Sequence, residues 1–123
     1  VLVTFESNWR RAKDALEQII NRHAMHLSKT AEHRIKEVSS RFMIFYSKLT
    51  PFVYTRVADC GVELTLRYLC DPRERRGTAH EIWEEILDAF AGFEDVDFAY
   101  PTQRFYDNRT EGKEGARAAM ELT

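Results

Sequence analysis

The sequence predicts an α+β fold in which short β-rich runs alternate with amphipathic helical stretches. Three observations lead to this class: an apolar run at residues 1–5, a hairpin-like stretch at 52–69, and an amphipathic stretch at 78–93. The order of elements is strand, helices, strand, strand, helix, strand, which is that of a ferredoxin-like βαββαβ sandwich. We therefore expect a four-stranded antiparallel sheet covered on one face by helices, with right-handed crossovers and an extended helical stretch after the first strand.

The part of the chain after the first strand is expected to be helical. Ser7 and Asn8 provide N-cap chemistry, and apolar residues then recur at the spacing of one helix face over residues 9–27. A second helical segment is predicted over residues 28–49, because its apolar residues follow the same spacing. Pro51 closes this segment, since proline disfavours helical backbone in the residue before it.

The stretch 52–69 indicates two strands joined by a tight turn. A two-residue loop at Cys60 and Gly61 would set Val57 opposite Leu64, with Gly61 at a position that needs a positive φ. One face of this hairpin is then largely apolar and is expected to meet the core. The other face mixes aromatic, charged and aliphatic side chains: Phe52, Tyr54, Arg56, Glu63, Thr65, Arg67 and Leu69.

The next helix is predicted to begin at a capping box, with Thr78 as N-cap and Glu81 three residues further on. Gly92 lies near its expected end. The apolar face predicted for this helix is broad and comprises Ile82, Trp83, Ile86, Leu87, Ala89, Phe90 and Phe93.

Residues 96–100 alternate in polarity as a last strand, and Pro101 limits how far its pairing can continue. These elements form one expected domain over residues 1–106. The polar tail at 107–123 is expected to be mobile, or helical only from about Glu114.

Composition excludes several classes of protein. The 18 basic and 20 acidic residues give a formal net charge of −2, so the fold as a whole does not attract a polyanion and no nucleic-acid partner is expected. No stretch approaches the ~18 apolar residues that cross a bilayer. Cys60 and Cys70 lie at opposite ends of a predicted strand, too far apart for a disulfide, and indicate a reducing compartment. The chain begins without methionine inside a strand-like run, which suggests a piece of a longer protein.

No catalytic or metal-binding pattern is complete. His80, Glu81 and Glu84 resemble half of a zinc-protease helix, but Glu84 stands where H-E-x-x-H requires its second histidine. His23 and His26 lie three apart on a helix, and two such ligands alone make a weak metal site. The serines lack a nucleophile-elbow context, and a glycine-rich phosphate loop is absent from the sequence. We therefore expect neither enzymatic activity nor a cofactor.

Two stretches carry a resemblance to a known family. The runs PFVYTRVADCGVELTLRYLCDPRERRGTAHEIWEEILDAF (51–90) and VDFAYPTQRFY (96–106) resemble the carboxy-terminal cytoplasmic domain of small-conductance mechanosensitive channels, the MscS family. VTFESNW (3–9) is similar to the point where the middle β domain of that family hands over to this domain. The helical stretch 28–49 is longer than in the family pattern, and the chain after Tyr106 lacks an obvious strand for a closing barrel.

The resemblance implies a channel of seven identical subunits that membrane tension opens. Its cytoplasmic domains would form a hollow vestibule through which ions and small osmolytes reach the pore. The domain would lie on the cytoplasmic side of the cell membrane, attached through helices that are absent from this sequence.

The resemblance gives two surfaces of the chain an expected role. On the outer sheet face Tyr54 is predicted opposite Arg67, where a cation–π contact can form. Arg73, Arg75 and Arg76 form either a solvated turn, offset by neighbouring acidic residues, or an electrostatic surface on the vestibule wall. The residues expected to contact neighbouring subunits are Phe52, Tyr54, Leu69, Tyr100, Phe105 and Tyr106.

Two alternatives from other classes remain open. An RNA-binding module shares this order of elements, but it needs aromatic residues on its third strand, where Glu63, Thr65 and Arg67 are predicted to point outward. A small-ligand regulatory domain of the same fold would show a thermal shift with some metabolite.

Overall fold

The structure of the protein is a computed structural model that describes residues 1–23 and 51–119. The strands form one antiparallel sheet in the order β1-β3-β2. The predicted helix at 28–49 and His26, which was weighed with His23 as a weak metal site, lie outside the described residues. The elements are β1 (Leu2–Val3), α1 (9–23), β2 (Phe52–Val57), β3 (Val62–Arg67), α2 (Arg75–Ala91) and α3 (Asn108–Glu111), with short 3-10 helices at Pro72–Glu74 and Glu114–Ala116.

The predicted four-stranded ferredoxin-like sheet is wrong, although the chain is α+β as expected. The described residues form three strands, and the segment 96–100 contributes a single bridge between Phe98 and Val3 on the outer edge of β1. Backbone hydrogen bonds of 3.0 and 2.8 Å flank this bridge. Pairing stops there because β1 is only two residues long and Pro101 has no N–H to donate.

The helices α1 and α2 cover one face of the sheet and close the core against it. Asn8 caps α1 as predicted, since its Oδ1 accepts a hydrogen bond of 3.2 Å from the Arg11 backbone N–H. Ser7 lies in the preceding turn, where its Oγ accepts a 2.9 Å hydrogen bond from the Asp97 backbone N–H and so holds the bridge segment. The buried core residues are Val3, Ala12, Leu16, Ile19, Ile20, Val53, Val62, Leu64, Ile82, Ile86, Phe90 and Val96.

Helix α2 begins at Arg75, before the predicted capping box, so Thr78 lies inside the helix. The earlier start has a local cause. Asp71 Oδ1 accepts a 2.9 Å hydrogen bond from the Arg73 backbone N–H, and Pro72 fixes φ for the 3-10 turn that leads into the helix.

The apolar face of α2 is narrower than predicted. Ile82, Ile86 and Phe90, spaced four apart, are buried. Trp83 is 50% exposed and Leu87 is 55% exposed, so the predicted face was too wide by one row of side chains.

The hairpin forms as predicted, but with a different register. Its loop lies at Asp59 and Cys60, one residue earlier than predicted, and a 2.9 Å backbone hydrogen bond closes it. Val57 consequently pairs with Val62 rather than with Leu64. Because the register differs by two residues, every side chain stays on the predicted face.

Gly61 is needed for a close approach and not for a special backbone conformation. Its φ lies outside the left-handed region, which corrects the predicted positive φ. A Cβ at this position would lie 2.2 Å from the Val3 carbonyl oxygen and 3.0 Å from the Ala99 Cβ. The missing side chain therefore allows β1 to pair beside the hairpin turn.

The polar tail contains a helix earlier than the predicted start at Glu114. Asp107 Oδ1 accepts a 3.1 Å hydrogen bond from the Arg109 backbone N–H, and Glu111 Oε2 accepts a 3.0 Å hydrogen bond from the Asp107 backbone N–H. These reciprocal bonds define the first turn of α3.

We predict that Gly61→Ala lowers the free energy of unfolding by about 3 kcal/mol, because the Val3 backbone must move to admit the methyl group. Gly77→Ala is the matched control. Gly77 lies within α2 and a Cβ there would meet no atom within 4 Å, so alanine should stabilise the protein by about 0.5–1 kcal/mol. Urea denaturation measures both values, and an unchanged midpoint for Gly61→Ala would contradict the close approach.

Candidate interaction surface

The outer face of the sheet, opposite the helices, carries an aromatic pair. Phe52 and Tyr54 flank the buried Val53 along β2, so both project away from the core. Their ring centroids are 4.8 Å apart with an interplanar angle of 61°, which is the edge-to-face arrangement that aromatic rings prefer. Phe52 remains 37% exposed and Tyr54 47% exposed. The pair is therefore partly exposed, with the Lys13 ammonium of α1 5.8 Å from the centroid of the Phe52 ring.

Charged side chains surround this aromatic pair. The Arg67 guanidinium carbon lies 5.6 Å from the centroid of the Tyr54 ring, which confirms the predicted cation–π contact. The two residues are diagonal neighbours, because Tyr54 stands directly opposite Thr65. Arg56 pairs with Glu63 on the opposite strand, with Nε 2.8 Å from Oε2. An apolar centre with a charged rim is the usual anatomy of a protein interface.

The segment 100–106, which we call the arm, carries the other predicted contact residues. Phe105 is 93% exposed, Tyr100 67% and Tyr106 52%. Arg104 lies over the Tyr106 ring at 5.3 Å and forms a 3.5 Å ion pair with Glu6. Among the described residues, no backbone hydrogen bond involves the arm. The arm thus exposes both its backbone and its aromatic side chains.

The predicted contact residues form two surfaces rather than one. The arm follows the bridge on the β1 edge, whereas Phe52 and Tyr54 lie on β2 at the other edge, with β3 between β1 and β2. Leu69 lies beyond the end of β3 and is half-buried. The strand order therefore places the two sets of predicted contact residues at opposite edges of the sheet, which the sequence alone did not indicate.

The three arginines lie at the start of α2, but only Arg73 precedes the helix as predicted, in the 3-10 turn, whereas Arg75 and Arg76 belong to its first turn. Arg73, Arg75 and Arg76 are exposed, and within residues 1–23 and 51–119 none forms an ion pair with a carboxylate. The Asp71 carboxylate instead accepts a backbone hydrogen bond. Burial raises the pKa of Tyr68, and the positive charge of Arg75 acts in the opposite direction. The charge of this turn is consequently directed mainly to solvent.

His23, the last described residue of α1, contacts α2. Its Nε2 contacts Glu85 Oε2, and its Nδ1 lies 3.7 Å from Glu81 Oε2. The two glutamates are four residues apart, so they share one side of α2, and this spacing is the sequence signal that indicates a common partner. The described part of the chain contains no cluster of histidine, cysteine and carboxylate side chains suited to a metal ion. His80 and Glu84 form an exposed ion pair of 3.1 Å on the helix surface.

An open cleft of about 650 Å³ lies between the arm and the hairpin turn. Phe5, Cys60 and Tyr100 contribute to its walls, and Arg104 reaches it from the arm. Its shape depends on the arm, since two of these residues belong to that segment.

Comparison of the chain with known protein families, with curated proteins and with solved structures finds no match. In residues 1–23 and 51–119, no helix combines the length and the apolar character needed to cross a bilayer.

We predict that Glu85→Gln lowers the free energy of unfolding by about 1–2 kcal/mol. The contact between His23 and Glu85 is partly buried, and the substitution removes the negative charge of the Glu85 carboxylate. Glu84→Gln is the matched control, since its partner His80 is 68% exposed and such surface pairs contribute little. Thermal or urea unfolding near pH 6 compares the variants. Equal effects of the two substitutions would contradict a stabilising contact between α1 and α2.

Proposed function

We propose that this chain is an assembly domain of a mechanosensitive channel subunit of the MscS family, on the cytoplasmic side of the membrane, and that it performs no catalysis. The observation that carries this proposal is the exposed edge-to-face pair of Phe52 and Tyr54 on the outer face of the sheet. Exposed apolar surface costs about 25 cal/mol per Å², and burial against a second subunit removes that cost. The rim of Arg56, Glu63 and Arg67 then gives such a contact its orientation.

The resemblance of residues 51–90 and 96–106 to the family supports the same function. A ring of identical subunits, seven by that resemblance, would enclose a vestibule for ions and small osmolytes. Arg73, Arg75 and Arg76 would then contribute positive potential at the vestibule wall and raise the local concentration of anions.

In the full-length subunit, Tyr54→Glu should reduce the recovery of assembled rings at least about tenfold, because it removes the aromatic ring and places a charge in the apolar centre of the contact. Light scattering of the detergent-solubilised protein measures assembly, and patch-clamp recording measures the tension response. The isolated 123-residue chain with this substitution should unfold at the urea concentration of the wild type, since the side chain is half-exposed.

Trp83→Glu is the matched control on the helical layer, where the Trp83 side chain is 50% exposed. Rings should persist in this variant. If Trp83→Glu abolished rings and Tyr54→Glu did not, the subunit contact would lie on the helices and the proposed face would be wrong. If the full-length protein were recovered from the soluble fraction, the channel proposal itself would fail.

The arginines allow a separate test of the vestibule. Replacing Arg73, Arg75 and Arg76 together by alanine should shift single-channel permeability toward cations, because three positive charges are lost from the wall. Unchanged ion selectivity would remove the electrostatic role while leaving the assembly role intact.

A further inference from the structure

Among the residues that the structure describes, strand β2 lies at an edge of the sheet and has backbone groups without a strand partner. Within the described residues it pairs only with β3. The Ala58 N–H donates to the Gly61 carbonyl across the turn, so the hydrogen-bonded positions of this antiparallel ladder continue backward through Arg56 and Tyr54. The alternate residues direct their N–H and C=O groups away from β3, and these are Val53, Thr55 and Val57.

The arm has backbone groups and aromatic side chains that can pair with such an edge. It is an irregular segment without backbone hydrogen bonds among the described residues, and its aromatic side chains are more than half-exposed. A segment of this kind gains both hydrogen bonds and apolar contacts when it adds to the free edge of a sheet.

The arm is poorly arranged to pair with β2 of its own chain. It leaves the bridge on the β1 edge, and both β1 and β3 lie between that bridge and β2. A strand on the free edge of β2 lies four strand spacings from the bridge, which is roughly 19 Å at about 4.8 Å each. Seven extended residues reach about 23 Å, so crossing the sheet would use most of the arm and leave too little to lie along β2.

We propose that the arm of one copy of this chain adds as an antiparallel strand to the β2 edge of a second copy. This inference rests on the proposed assembly function and specifies the backbone hydrogen bonds of the subunit contact. The direction follows from the sheet. The segment with Phe98 runs antiparallel to β1, and β1 and β2 both run antiparallel to β3. If the sheets of two copies continue side by side, the arm therefore approaches the neighbouring β2 in the antiparallel sense.

The side chains fit this arrangement. The Thr4 N–H donates to the Asp97 carbonyl and the Ala99 N–H donates to the Leu2 carbonyl, so the odd-numbered residues of this segment direct their backbone groups to β1 and the even-numbered residues direct theirs to the neighbouring β2. Residues paired across a sheet share one face, so Arg104 and Tyr106 lie on the helical side, where Val57 is 73% exposed. Phe105 then lies on the outer face near Tyr54, where an aromatic ring and a guanidinium group already stack.

The size of the contact predicts weak association of the isolated chain. At about 150–250 Å² for a buried aromatic side chain, the exposed parts of the three arm aromatics offer roughly 400 Å². Stable interfaces bury about 1,200–2,000 Å² in total. Because each copy gives its arm at one edge and accepts another arm at the other edge, the contact is heterologous, as a ring requires.

A pair of proline substitutions in the arm tests strand addition. In this antiparallel arrangement the Arg104 N–H points to β2 and the Gln103 N–H points away, because residues 97 and 99 direct their backbone groups to β1. Arg104→Pro should weaken self-association of the 123-residue chain at least about tenfold relative to Arg104→Ala. Gln103→Pro should differ from Gln103→Ala by less than about twofold, because that N–H makes no bond to the edge. Sedimentation equilibrium from micromolar to millimolar concentration measures all four variants.

Each outcome supports or overturns the proposal. Equal effects of the two prolines would overturn strand addition. A wild-type chain that stays monomeric at millimolar concentration would also overturn it, because the β2 edge would then be covered within its own chain. If the full-length protein forms rings but the two proline substitutions have equal effects, strand addition is rejected and the assembly function is kept. If the two prolines have unequal effects but the full-length protein forms no membrane ring, strand addition is kept and the channel proposal is rejected.

Discussion

The strand order of the sheet depends on the approach of the Val3 carbonyl to the Gly61 backbone, which leaves no room for a Cβ. This contact sets β1 beside β3, directly at the hairpin turn. The bridge of Phe98 can then form only on the outer side of β1, and β2 remains at the opposite edge. The separation of the arm from the aromatic pair on β2 follows from the same contact, because the strand order fixes both positions.

Local periodicity was sufficient to predict which side chains share a face, but it did not fix the register. The alternation of Val53 and Tyr54 assigns one to the core and the other to the outer face regardless of the loop. The register depends on whether the loop starts at Asp59 or one residue later, and both choices satisfy the alternation. The aromatic pair could therefore be predicted from sequence, whereas the exact partner of each residue could not.

Features that depend on distant parts of the chain were predicted poorly. The prediction of a last strand was wrong because β1 offers only two residues for it to pair with. The exposure of Trp83 depends on what packs against α2, and a helical wheel carries no such information. The start of α2 was predicted too late for a local reason, because Asp71 and Pro72 form a stronger initiation signal than Thr78. The contact of His23 with Glu85 again joins two helices that sequence alone does not bring together.

The position of β1 in the sheet also determines the order in which the fold assembles. The hairpin closes over seven positions between Arg56 and Glu63, whereas Val1 meets Leu64 across 63 positions and Ser7 meets Asp97 across 90. Loop closure costs more entropy as the intervening chain lengthens, so the hairpin can form first and β1 joins it later. A short strand that joins late through few hydrogen bonds also opens first in the native state. Transient opening of β1 would then release the bridge segment and the anchor of the arm, while the hairpin and its aromatic pair stay folded.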